Sequence, residues 1–126
     1  MTIENGELKM KENIIKNKSF EFALRIIKLY QFLSESKKEF ILSKQVLKSG
    51  TSIGANVREA EQAESKSDFI HKLSISLKEA NETDYWLELL NKANYINDNE
   101  YISLKKNLDE ILKLLVSIIK TSKKPK

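Results

Sequence analysis

An all-α chain folded as an antiparallel up-down-up-down four-helix bundle is what this sequence predicts, and three observations carry the prediction. Apolar residues recur at alternating steps of three and four along most of the chain, the period of a helix with one buried face. Helix breakers are scarce: 126 residues hold three glycines and one proline, Pro125. Strands joined by tight turns need more of both. Only a few residues separate the periodic segments, and connections that short force neighbouring helices to run antiparallel. Length and composition agree, since 126 residues with 40% hydrophobic and 32% charged side chains fit one domain with one core.

The first helix is expected from about Ser19 to Ser36. Phe22, Ile26, Leu29 and Leu33 form one stripe, and Ala23, Ile27 and Tyr30 form a second beside it. Together they exceed the arc of roughly 100° that a single core needs, and Leu24 and Phe32 lie outside even that arc. This breadth predicts either deep burial or contact with another subunit.

The second helix is expected over Phe40–Ser65, with Leu42, Val46, Ile53, Val57 and Ala60 in register. Its middle, Ser49-Gly50-Thr51-Ser52-Ile53-Gly54-Ala55-Asn56, can be read in two ways. Each glycine weakens a helix by about 1 kcal/mol relative to alanine, which would suit a loop between two short helices. Glycines four apart on one face would instead let a neighbouring backbone approach closely. The apolar register runs through both glycines and favours the continuous helix. A phosphate-cradling loop would need Lys-Ser or Lys-Thr after the last glycine, where Ala55-Asn56 stands.

The third helix is expected from a Ser67 cap to about Ala93, with Ile70, Leu73, Leu77, Ala80, Leu87 and Leu90 facing the core and Trp86 and Leu89 flanking. The fourth opens on Asn97-Asp98-Asn99-Glu100, which resembles a capping box. Tyr101, Leu104, Leu108, Ile111, Leu115 and Ile118 then give the strongest periodicity in the chain. Leu112, Leu114, Val116 and Ile119 make its last turns apolar on almost every side, so a second subunit is the expected cover. The division is then an extension of mixed charge over 1–18, the bundle over 19–122 and a lysine-rich tail over 123–126.

Several classes are disfavoured. There is no cysteine for disulfides or thiolate metal sites, which suits a reducing cytoplasm. Neither a signal peptide nor a run of roughly 20 apolar residues is present, so a soluble, cytoplasmic protein with no membrane contact is expected. Net charge is +4 and unevenly placed: Arg58 to Glu100 is acidic, and the excess lysines lie outside it.

Two blocks of residues also resemble a known family. The run Gln45-Val46-Leu47-Lys48-Ser49-Gly50-Thr51-Ser52-Ile53-Gly54-Ala55-Asn56-Val57-Arg58-Glu59-Ala60 is similar to the signature of small four-helix-bundle proteins encoded in intervening sequences of 23S ribosomal RNA genes. Ser67-Asp68-Phe69-Ile70-His71-Lys72-Leu73 and Lys78-Glu79-Ala80-Asn81-Glu82-Thr83-Asp84-Tyr85-Trp86-Leu87 resemble its third helix. Both lie in the family's order and spacing. Where many members carry a proline between the first two helices, Lys37-Lys38-Glu39 stands here. Similar proteins include the accessory subunit of diversity-generating retroelements, a pentameric barrel that binds nucleic acid and a reverse transcriptase. The resemblance implies the bundle and a pentamer, and says little about activity.

Candidate chemistry is sparse. Glu79 and Glu82 lie one turn apart, with Glu59, Glu61 and Glu64 on the preceding helix, but a di-metal bundle site needs two Glu-x-x-His motifs and the chain has one histidine, His71. No metal, no cofactor and no enzymatic activity is therefore expected. Trp86 and Tyr85 could stack on bases, although a tryptophan beside an apolar stripe is more often core or interface. Gly50, Gly54, Asn56, Glu59 and Trp86 are the candidate packing or oligomer-interface residues, with Asn56 and Glu59 expected to fix register or join an interhelical network.

The lysines gain meaning through topology. The start of the first helix and the end of the fourth share one end of an up-down-up-down bundle. Lys9, Lys11, Lys16 and Lys18 then meet Lys120, Lys123, Lys124 and Lys126, and a ring of subunits would repeat that patch around its axis. Lysines bind phosphate without reading bases. The expectation is a homo-oligomeric nucleic-acid-binding or ribonucleoprotein accessory protein, with RNA or DNA and a reverse transcriptase or other protein as its expected partners. The alternative is a protein-interaction scaffold that touches no nucleic acid.

Overall fold

Four helices, α1 (Ile3–Glu35), α2 (Leu42–Glu61), α3 (Lys66–Lys92) and α4 (Asp98–Lys123), make up the computed structural model, which describes residues 3–125. Each helix packs on two others, in the cyclic order α1, α2, α3, α4 and back to α1. Cross-helix pairs fix the directions. Gly50 meets Ile26 and Gly54 meets Ser19 between α1 and α2. Ser49 meets Thr83, and Ile53 meets Ser76, between α2 and α3. Asn91 meets Asp98 and Asp84 meets Lys105 between α3 and α4, and Lys11 and Lys18 meet Ser117 and Glu110 between α1 and α4. In every pair one number rises as the other falls, so all four contacts are antiparallel.

The core follows the expected stripes. Phe22, Ile26 and Leu33 of α1, Val46 and Ile53 of α2, Leu73 and Leu87 of α3 and Leu104, Leu108, Ile111, Leu115 and Ile118 of α4 are buried. Expected and observed structure part at the N-terminus. The first helix begins at Ile3 rather than near Ser19, so the segment expected to be a loose extension is helical through its described part, with Ile15 only 1% exposed. Leu8, Ile15, Phe22 and Leu29 share one face at seven-residue steps, which extends the core about three turns before the expected start. The second α1 stripe is the opposite case: Ile27 is exposed and Ala23 and Tyr30 are half-buried. At the end of α4 Ile119 is buried, Leu112 and Leu114 are half-buried, and Val116 is exposed.

α2 runs unbroken through both glycines. A Cβ on Gly50 would lie 2.8 and 2.9 Å from the two γ-carbons of Ile26, and one on Gly54 would lie 3.3 Å from the Ser19 carbonyl oxygen. The glycines thus admit α1, and packing offsets their low helix propensity. The α2–α3 seam is close as well, but polar. The buried Ser76 hydroxyl donates to the Ile53 carbonyl at 2.8 Å, and Thr83 Oγ1 lies 2.9 Å from Ser49 Oγ.

The helix ends show which local signals matter. Ser65, not Ser67, caps α3 by accepting from the Asp68 N–H, a shift within the usual uncertainty of helix boundaries. Asn97 caps α4 through the Glu100 N–H as its sequence suggests. Just past the end of α3, Asn94 adopts a positive φ of 67°, and the Tyr95 N–H turns back to the Leu90 carbonyl.

α2 has a cap that the sequence reading places only in a connection. The Glu39 carboxylate accepts from the N–H groups of Ile41, Leu42 and Ser43 at 2.7 to 3.2 Å. Partial burial pushes its pKa up, yet these bonds to the ionised form win and hold it below the usual carboxylate value. A lowered folded-state pKa stabilises the fold above the unfolded pKa, and that stability is lost as pH falls through the folded value. Glu39→Ala should cost about 1 kcal/mol in chemical denaturation at pH 7 and less at pH 2, where a smaller fraction of the wild-type carboxylate is ionised. An equal cost at both values would contradict the cap.

Candidate nucleic-acid interface

The topology brings the start of α1 and the end of α4 to one end of the bundle, and the lysines there fall into two groups. Lys11, Lys16 and Lys18 are half-buried and engaged within the bundle. Lys11 donates to Ser117 Oγ at 2.7 Å, Lys16 reaches Glu61 at 3.4 Å, and Lys18 grips Glu110 at 2.6 Å. Lys18 holds the Glu110 carboxyl below its ordinary range. Lys11, Lys18 and Arg25 follow at seven-residue steps, and all three reach from α1 to α4; Arg25 bonds Asn107 at 2.6 Å and Glu100 at 3.3 Å. These cations clasp the seam between α1 and α4, which leaves them less available to a ligand.

Lys9, Lys120, Lys123 and Lys124 are exposed and make no ion pair among the described residues. The Lys124 carbonyl accepts from Lys66 at 3.1 Å, adding a cation from the start of α3 to the same end. Lys126 lies outside the described residues.

The expected packing residues divide in the same way. Gly50 and Gly54 form the α1–α2 approach described above. Asn56 joins no interhelical network, because its amide donates to the Ser52 carbonyl of its own helix at 2.9 Å. The buried polar bonds between α2 and α3 come instead from Ser49, Ser76 and Thr83, small hydroxyl residues that let the two helices close together. Glu59 is exposed and reaches Lys72 of α3 at 3.7 Å. Trp86 is half-buried against the core, donates to Glu82 at 3.2 Å, and meets Tyr85 edge-on with centroids 5.2 Å apart. Burial and Glu82 raise the pKa of nearby Glu79, against Lys48 and Lys78. No group of three or more His, Asp or Glu residues suited to a metal occurs among the described residues.

Two apolar features lie outside the core. The outward face of α1 carries Phe20, Leu24 and Ile27, 39 to 50% exposed, with Arg58 of α2 stacked 5.2 Å over the Phe20 ring. Near the other end of the bundle, Leu29, Phe32 and Ile96 floor a cleft of about 390 Å³ rimmed by Arg25, Lys28 and Glu100. No helix is long and apolar enough to cross a membrane.

Fold and surface together define a small antiparallel four-helix bundle with a basic end, and the likeness to known proteins is specific. The profile of the 23S rRNA-intervening sequence protein matches residues 11–117, and the chain belongs to that family. A crystal structure of a protein with unknown function from the S23 ribosomal protein family of Bacteroides thetaiotaomicron is 62% identical, with a TM-score of 0.87 over 87% of this chain and 98% of that one. No curated protein matches.

Proposed function

We propose that this chain acts as a non-enzymatic, homo-oligomeric nucleic-acid-binding or ribonucleoprotein accessory protein of the cytoplasm. The observation that carries the reading is the basic end, where exposed Lys9, Lys120, Lys123 and Lys124 are drawn from opposite termini to one place. Point charges without a bidentate fork neutralise phosphates and leave base identity unread. The origin of the family in ribosomal RNA genes supports RNA as a ligand, and DNA offers the same phosphates.

Assembly is supported by the uncovered apolar face of α1. Phe20, Leu24 and Ile27 form a patch that a second copy would remove from water, and the resemblance to pentameric proteins makes five the expected number. Light scattering after size exclusion should give about five times the 14.6 kDa chain mass, and Leu24→Asp should lower it. A wild-type monomer at micromolar concentration would contradict assembly.

Binding is tested by replacing Lys120, Lys123, Lys124 and Lys126 with glutamine. The variant should remain folded and oligomeric, bind RNA and DNA more weakly, and show a flatter dependence of affinity on salt. Failure of the wild type to bind either at low salt would favour the second reading. In that reading the α1 face docks a protein partner, such as a reverse transcriptase, with no nucleic acid involved.

A further inference from the structure

We infer that the outward face of α4 is a track for single-stranded nucleic acid, running from the basic end along the side of the bundle. This rests on the nucleic-acid reading above and extends the ligand's path from Lys120 of the terminal cluster to residues outside that cluster. Lys106, Lys113 and Lys120 are exposed and follow at seven-residue steps, opposite the buried Leu104, Leu108 and Ile111. Seven residues advance a helix by about 10.5 Å and return to nearly the same face, so the three charges form a line about 21 Å long.

Two further observations separate this line from an ordinary solvated face. The carboxylates beside it are already engaged from neighbouring helices or turns: Glu110 by Lys18 at 2.6 Å, and Asp109 by Lys105 at 3.1 Å. Lys106, Lys113 and Lys120 have no ion-pair partner among the described residues. Between the cations, moreover, lie two shallow depressions in step with them. Tyr101 and Ile102, together with the engaged Asp109 and Glu110, line the one bordered by Lys106 and Lys113, and Leu112 and Val116, with Ser117, the one bordered by Lys113 and Lys120. Alternating cations and partly apolar hollows match a strand that alternates phosphates with the apolar faces of unpaired bases. A paired duplex keeps those faces stacked inside and presents phosphates alone.

The test uses the full chain and a fluorescent single-stranded RNA of mixed sequence, with anisotropy titrations at several salt concentrations. A double variant, Lys106→Gln with Lys113→Gln, should bind more weakly and flatten the slope of log affinity against log salt by about 1.4, at roughly 0.7 per lost contact on a single strand. A charge-matched control, Lys44→Gln with Lys48→Gln on the exposed face of α2, should keep the wild-type slope. Light scattering should give all three proteins the same mass. Wild-type binding with an unchanged slope in the α4 variant would overturn the track and leave the basic end standing. An equal change in the control would reduce the effect to net charge and overturn it too, as would tighter binding of a blunt duplex or loss of assembly in the α4 variant. No wild-type binding at all would remove both readings.

Discussion

Gly50→Leu should unfold the bundle or cost it more than about 3 kcal/mol in chemical denaturation. Even one carbon at this position would lie 2.8 Å from Ile26 Cγ1 and 2.9 Å from Cγ2, and Ile26 is wholly buried. Those atoms belong to a β-branched side chain with little rotamer freedom, so α1 itself would have to move. Overpacking of this kind costs about 1–3 kcal/mol for small additions, and leucine adds four carbons. Gly50→Ala is the sharper comparison, because alanine gains about 1 kcal/mol in helix propensity and would stabilise a glycine facing open space. Here it should destabilise. Combined with Ile26→Ala, which removes the opposing carbons, it should become neutral or favourable relative to Ile26→Ala alone. Additive effects of the two changes would show that the residues do not touch.

Ile15→Ala should cost about 2–4 kcal/mol, in the range of other large-to-small core substitutions. Ile15 is 1% exposed, although it lies in a segment whose charges read as a solvated extension. The exposed neighbour Ile14, on the same turn, supplies the contrast: Ile14→Ala should change stability by less than about 0.5 kcal/mol. Equal small effects at both positions would mean that α1 frays before Phe22 and that the core ends there.

The four helices, their order and most of their buried faces could be read from the sequence because packing and periodicity agree along α2, α3 and α4. The unbroken α2 was legible for the same reason, since Val46, Ile53 and Val57 keep their register through both glycines. The early start of α1 was obscured by density of charge: Glu7, Lys9, Lys11, Glu12 and Lys16 crowd the turns around its few core residues. The signal that finds it is the heptad Leu8, Ile15, Phe22, Leu29, which continues the core face toward the N-terminus. Glu39 was hidden because a cap three residues before its helix depends on chain direction, which no local pattern specifies. The lysine cluster was legible as composition and topology but not as availability. Whether Lys18 faces solvent or Glu110 is decided by the register between α1 and α4. Once that register is known, Lys11, Lys18 and Arg25 read as clasps across the seam, and Lys106, Lys113 and Lys120 as the cations left facing outward.

If several copies of this bundle together take up nucleic acid through lysine contacts to phosphate, as proposed, one measurement reads both the assembly and the binding. Size exclusion with light scattering, run on the protein mixed with single-stranded RNA at low salt and again at high salt, reads mass and composition in the same peak. The expected result is a low-salt complex containing RNA and several 14.6 kDa chains, which at high salt separates into free RNA and the intact protein oligomer. Free RNA beside a 14.6 kDa monomer at low salt would contradict it.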